Sequence, residues 1–293
     1  SSGTSPFYIG LETDNNLNPV SIHDTKFLNV HNGILLASLK DSVSIVGCSL
    51  TLFTGATGNG ISSYGDALNG PLYPKIQKNY LDGNNTGSNN TWGIWLTNNL
   101  GYWGQDPNPW ISAVIDSNEI KGFGYGIYVD AYKSLAVTPD FDVTVLQNEI
   151  HDNLYDGIFV QDSGHTLWGY NSTPPNKIRI TQNSFHDNGE LGIDLEALGE
   201  SSPGVTPNDL PYVADPDSGP NTLYNFPVLT NVVNIGGTTW QISGYAHPGD
   251  FVEFFLADGD PSGYGEGETY LGTITVGPGG GFVAFVNTSL PSP

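Results

Sequence analysis

The chain contains no methionine, a single cysteine and only 8 lysines and arginines in 293 residues. One cysteine cannot close an intrachain disulfide, so oxidative crosslinks do not hold this fold and Cys48 is expected in the core. Eight basic side chains against 30 acidic ones give a formal charge of -22. That field repels a phosphate backbone and argues against nucleic acid as a partner. It suits calcium, or solubility in a crowded or salty exterior. No run is long and apolar enough to span a bilayer as a helix, and no stretch keeps a 3.6-residue apolar period for three turns. A Ser-His-Asp elbow, a phosphate loop, zinc-ligand spacing and a dinucleotide fingerprint are all missing. With no methionine and Ser1 first, the chain reads as one whose export leader was removed, or one that begins inside a longer protein.

What is present is turn-rich β structure: 38 Gly and 20 Pro, with Val, Ile, Tyr, Phe and Thr alternating between Gly, Asn and Asp clusters. Six segments align on an apolar-x-x-Asn-x-apolar core: SIHDTKF, SIVGCSL, KIQKNYL, VIDSNEI, TVLQNEI and RITQNSF. Ile22, Ile45, Ile76, Ile115, Val145 and Ile180 form one inward column. Phe27, Leu50, Leu81, Ile120, Ile150 and Phe185 form the next. Between them runs a polar column, Thr25, Cys48, Asn79, Asn118, Asn148 and Asn183. An inward asparagine is costly unless its amide is satisfied, and stacking at a strand spacing of ~4.8 Å satisfies it. Asn79, Asn118, Asn148 and Asn183 are therefore read as a structural ladder. Asn84, Asn153 and Asn188 mark a second turn.

Each coil then continues at Gly33-Ile34, Gly60-Ile61, Gly93-Ile94, Gly126-Ile127, Gly157-Ile158 and Gly192-Ile193, spaced by 27, 33, 33, 31 and 35 residues. Glycine there is expected to allow a tight, left-handed turn. From about Ser21 to Leu198 the pattern resembles the right-handed parallel β-helix repeat family, the pectate-lyase-like superfamily of polysaccharide lyases, glycosidases, phage tailspikes and surface adhesins. The resemblance implies an all-β fold of about six coils and says little of activity, because many activities share the scaffold.

Residues 200–226 lose the repeat and are rich in Pro, Asp and Asn, as in a junction. Within them Asp215, Asp217 and Asn221 place oxygen side chains around Gly219 as calcium loops do, with Asp209, Asp194 and Glu196 as further ligands. A plain cluster of Asx turns reads equally well. Beyond Pro227, the segments TTWQISGYA, DFVEFFLAD, TYLGTITV and GFVAFV alternate as short strands. This region resembles the C-terminal immunoglobulin-like sandwich of secreted bacterial and archaeal β-helix proteins, which usually continues for at least one more strand. A sandwich short of a strand exposes an edge that another subunit can fill. Residues 1–20 hold the candidate donor, Phe7, Tyr8, Ile9 and Leu11, unless that segment forms the first coil.

Trp95, Tyr128 and Phe159 follow the Gly-Ile pairs and form an outward stripe, suited to sugar rings or to packing. The next outward column holds Asp130, Gln161 and Glu196, with Asp162 adjacent. Asp130, Asp162 and Glu196 are the acids that a lyase or glycosidase would use, although two coils separate Asp130 from Glu196 by about 10 Å, beyond the usual inverting pair. His151-Asp152-Asn153 and His186-Asp187-Asn188 stack on consecutive coils, as a metal site or as a repeated turn. Asn84, Asn89, Asn171 and Asn287 match the glycosylation pattern. Three readings follow: an extracellular or cell-surface structural protein that self-associates into a layer or filament, a polysaccharide lyase or glycosidase, and a glycan-binding adhesin.

Overall fold

A computed structural model describes residues 7–13, 19–37, 42–64, 73–85, 87–88, 90–97, 110–130, 140–161, 175–197, 200, 204–208, 219–260 and 262–289. Each of the six aligned segments contributes one strand to a single parallel sheet: β2 (Val20–His23), β4 (Ser42–Val46), β7 (Tyr73–Gln77), β10 (Trp110–Asp116), β13 (Asp140–Leu146) and β16 (Ile178–Thr181). A second sheet begins with β3 (Lys26–Ala37) and, after the asparagine turn of later coils, runs through β5 (Ser49–Leu52), β8 (Tyr80–Asp82), β11 (Glu119–Lys121), β14 (Glu149–His151) and β17 (Ser184–His186). The Gly-Ile strands extend it from the far half of β3: β6 (Ile61–Tyr64), β9 (Trp92–Thr97), β12 (Tyr125–Asp130), β15 (Ile158–Gln161) and β18 (Ile193–Glu196). All these pairings are parallel and both expected apolar columns are in register; with the isoleucines of the Gly-Ile strands from Ile34 to Ile158 they close one continuous core, while Ile193 on the last coil is 43% exposed.

The ladder explains why polar residues are tolerated inside. Asn118 donates from Nδ2 to Asn148 Oδ1 at 2.8 Å and to the Ile76 carbonyl at 2.8 Å. Its backbone N–H donates to the same Asn148 Oδ1 at 2.9 Å. Asn79 and Asn148 repeat this bonding, Asn183 ends the row by accepting from Asn148 and donating to the Val145 and Thr181 carbonyls, and Cys48, buried as expected, donates its N–H to Asn79 Oδ1 at 2.9 Å. Each amide is thus fully satisfied by its neighbouring coils. The residue before each ladder position carries the left-handed backbone: Gly47, Lys78, Ser117, Gln147 and Gln182 all have positive φ.

The Gly-Ile glycines correct the expectation of a left-handed turn, since Gly33, Gly60, Gly93, Gly126, Gly157 and Gly192 are not among the positive-φ residues. Their reason is close approach. A Cβ at Gly126 would stand 2.5 Å from the Gly157 carbonyl oxygen and 2.5 Å from Ile150 Cγ2.

The N-terminal segment belongs to the same column, with a Cβ at Gly10 falling 2.7 Å from the Gly33 carbonyl oxygen. Strand β1 (Phe7–Thr13) pairs parallel with β3, with Phe7 opposite Val30, Ile9 opposite Asn32 and Leu11 opposite Ile34. Phe7, Tyr8, Ile9 and Leu11 are therefore a rung of this chain's own solenoid, the first-coil alternative for this segment: donating them would strip paired backbone from the first coil.

Two antiparallel sheets follow in the place expected for the sandwich. One is ordered β19 (Val228–Gly236), β20 (Thr239–Tyr245), β23 (Gly281–Asn287), and the other is β21 (Phe251–Asp258) with β22 (Glu266–Thr275). Ile242, Val252, Phe254, Val276, Phe282, Ala284 and Val286 form their shared core. The small second sheet leaves β19 uncovered. Val232 lies in register with Ile242 and Ala284, which are 8% and 3% exposed, yet Val232 is 49% exposed.

Candidate functional site

The Gly-Ile strands set out the residues that follow each isoleucine at strand spacing, which brings three aromatic rings into one column. Trp95, Tyr128 and Phe159 are in register, with ring centroids 6.4 Å apart for the first pair and 5.4 Å for the second. A second column, Trp92, Tyr125 and Tyr155, lies beside it, and Tyr125 stacks on Tyr155 at 5.1 Å. The two columns interlock through Trp92 with Tyr128 and through Tyr125 with Phe159. Phe159 is only 4% exposed, so much of this face packs against itself.

The acid column is also in register: Asp130 opposes Gln161, and Gln161 opposes Glu196. Its polar groups are engaged. Asp130, 3% exposed, accepts the Trp95 indole N–H at 2.9 Å. Gln161 accepts the Tyr128 hydroxyl and donates to Glu196 at 2.7 Å. Asp130 and Glu196 are therefore two rungs apart with an amide bonded between them, a separation of about 10 Å, wider than the usual inverting pair. Asp162 lies outside the described residues.

Three acids of this region hold protons unusually well. Burial pushes Asp130 up to about 6. Asp156 is pushed up to about 7, by burial first and then by the charges of Glu190 and Glu196. Asp194 reaches about 8, through burial and the charges of Asp156, Glu200, Glu196 and Glu190. An exposed carboxyl in the unfolded chain titrates near 4, so between that value and about 8 the folded chain holds more protons than the unfolded one. This contribution to stability is complete below about pH 4 and is lost as the pH rises through 6 to 8. The melting temperature is therefore expected to fall between pH 5 and pH 9, and Asp194→Asn to flatten that slope and raise the value at pH 9. A melting temperature that climbs with pH, or an unchanged slope in the variant, would contradict the assignment.

On the same last coil that carries Asp194 and Glu196, side chains from the C-terminal third close the solenoid. Asn188 donates its N–H to Glu266 at 3.0 Å and its Nδ2 to the same carboxylate at 2.7 Å, so Glu266 completes the second ladder begun by Asn153 and Asn188. Glu253 accepts the Thr181 hydroxyl and the Gln182 N–H. Asn221 accepts the Ile178 N–H at 3.0 Å and donates to the Ile178 carbonyl at 2.7 Å. Its amide thus pairs with the sheet edge, which corrects its place as a calcium ligand. Asp209, Asp215 and Asp217 lie outside the described residues. A cleft of about 420 Å³ between the last coil and the C-terminal sheets is lined by Phe185, Leu191, Ile193, Phe226 and Phe255, with Glu253 and Glu266 already bonded.

Of the glycosylation candidates, Asn84 uses Nδ2, the atom that would carry a glycan, to donate to Thr54 at 2.9 Å and to the Leu52 carbonyl at 3.3 Å. A glycan on Asn84 would replace these bonds to the neighbouring coil. Asn287 is exposed at the end of β23, where its Oδ1 accepts the Thr239 hydroxyl. Asn89 and Asn171 lie outside the described residues.

A stack of parallel strands with inward amide ladders and an antiparallel cap defines an all-β solenoid protein. Residues 8–197 match the family model described as right handed beta helix region, and the chain belongs to that family. No curated protein matches the sequence. No helix among the described residues is long and apolar enough to cross a membrane.

Proposed function

We propose that this chain is an extracellular structural protein whose copies associate through the free edge of β19. The single observation that carries this reading is the exposure of β19 on both faces. Leu229, Val232, Val233 and Ile235 are all 41% exposed or more, although successive side chains of a strand point to opposite sides. An exposed apolar edge is a template for pairing with a strand from another chain. The outer face beside it adds Val283 and Phe285, in register with Ser243 and Gln241 of β20. A second copy supplies an identical edge and face, and isologous pairing of β19 with β19 would cover both. The excess of carboxylates supports an exterior setting, and calcium is retained as the ion for the Asp209, Asp215 and Asp217 loop on the chemistry of its side chains. The bonded state of Asp130, Gln161 and Glu196 weighs against a lyase or glycosidase.

Sedimentation velocity of the full chain at rising concentration tests the proposal. Association is expected, and Val233→Lys, which places a charge on the exposed outer face, should leave monomers with an unchanged circular dichroism spectrum. A wild-type chain that stays monomeric at every concentration would count against it.

A further inference from the structure

Outside these sites, the outward face of β11, β14 and β17 brings together two histidines and two glutamates. His151 and His186 are in register on adjacent strands, and their rings stack with centroids 4.5 Å apart and planes 17° from parallel. Each ring is oriented by the residue that follows it: His151 Nδ1 lies 2.8 Å from Asp152 Oδ2, and His186 Nδ1 lies 3.0 Å from Asp187 Oδ2. Asp152 and Asp187 both have positive φ, so the turn that feeds the second asparagine ladder also swings these carboxylates back onto the imidazoles. A carboxylate on Nδ1 places the proton there and leaves Nε2 as a free lone pair, the arrangement that ligating histidines adopt.

Both Nε2 atoms face glutamates of the preceding coil. His186 Nε2 lies 3.5 Å from Glu149 Oε1, and His151 Nε2 lies 3.7 Å from Glu119 Oε1. One ligand atom from each of Glu149, His151 and His186 falls within 4.8 Å of the others. His151 is the decisive member. Its side chain is 10% exposed, and its Nε2 is buried without a hydrogen-bond partner. A buried ring nitrogen left without a partner is unfavourable, and a bound cation would remove that deficit. On one side Lys121, in register with His151 and 3.5 Å from Glu119, closes the column with a positive charge.

We propose that His151 Nε2, His186 Nε2 and the Glu149 carboxylate form a binding site for a divalent transition-metal ion of the zinc and cobalt class, with Glu119 at its margin. Two imidazoles and a carboxylate suit a borderline-soft ion, whereas calcium and magnesium require an all-oxygen set. Zinc to nitrogen distances of about 2.0–2.1 Å need the two Nε2 atoms to close to about 3.3 Å and the stacked rings to rotate out of parallel so that their lone pairs converge on one ion. The remaining position is open to water. A metal held there would clamp the last two rungs of the second sheet, beside the coil that Glu266 caps.

The test uses the full, tag-free chain, stripped with chelator and titrated with Co²⁺ alone. One Co²⁺ per chain is expected, with a visible d–d absorption band that Zn²⁺ displaces and Ca²⁺ does not. His186→Ala, at a partly exposed position, should abolish the band, and Asp187→Asn should weaken Co²⁺ binding by about 10- to 100-fold through loss of ring orientation. Circular dichroism shows whether each variant is folded, and if His151→Ala fails to fold, His186→Ala and Glu149→Gln decide the matter. Absence of a band at millimolar Co²⁺, or equal binding in His186→Ala and wild type, overturns the site.

Discussion

Asn148→Ala is expected to destabilise the protein by about 4 kcal/mol, more than any exposed substitution on the same coil. Its amide occupies the centre of the ladder, accepting from Asn118 Nδ2 and the Asn118 N–H and donating to the Ile115 carbonyl, the Leu146 carbonyl and Asn183 Oδ1. Alanine leaves these groups buried in a core that water does not reach, and each unsatisfied group costs about 1–3 kcal/mol, partly offset by relaxation. Asp142→Ala, on the exposed face of β13, should change stability by no more than about 0.5 kcal/mol. Chemical denaturation at matched slopes measures both, and a small effect for Asn148→Ala would show that the ladder contributes little beyond its backbone.

Gly126→Ala is the second large effect. The added methyl would meet backbone as well as side chain, 2.5 Å from the Gly157 carbonyl oxygen and 2.5 Å from Ile150 Cγ2. Neither neighbour is the loose end of a flexible side chain, so rungs held by ladder bonds on both sides must separate. A loss of about 3 kcal/mol or more, or failure to fold, is expected. Gly55→Ala gives the contrast. Gly55 has φ +81° and nothing within 4 Å of an added Cβ, so only the conformational term of about 1 kcal/mol applies. If the two variants were equally destabilised, the steric account of the glycine column would be wrong.

These two positions also show what the sequence made legible. The ladder could be read directly, because an inward asparagine recurring between two apolar columns has one economical explanation, and its bonds follow the expected stack. The glycine column was visible but its cause was not. Periodicity marks where glycine recurs, whereas the distinction between a left-handed turn and a close approach depends on the distance to the next coil. The left-handed turns fall instead on Lys78, Ser117, Gln147 and Gln182, residue types that do not announce such a conformation, and on Gly47, Asp152 and Asp187, which adopt it more readily.

The capping acids were beyond local reading. Glu253 and Glu266 sit on alternating strands like ordinary surface residues, and they meet Gln182 and Asn188 only after a separation of 71 and 78 residues. The His151 and His186 pair reads in sequence as a metal site or as a repeated turn, and what decides between them is spatial: Glu149 precedes His151 on β14 but faces His186 on the next coil, and Glu119 comes from β11. Asn221 was read from its oxygen chemistry alone, and the sheet edge at Ile178 supplied the partner that the local motif could not foresee.

In the proposed assembly β19 is the joining edge. Hydrogen exchange of its backbone amides across a concentration series tests this most directly. The β19 amides that face away from β20 should become protected as concentration rises, while those of the asparagine ladder, already bonded within one chain, stay protected throughout. Exchange at β19 that is rapid and independent of concentration would contradict the claim.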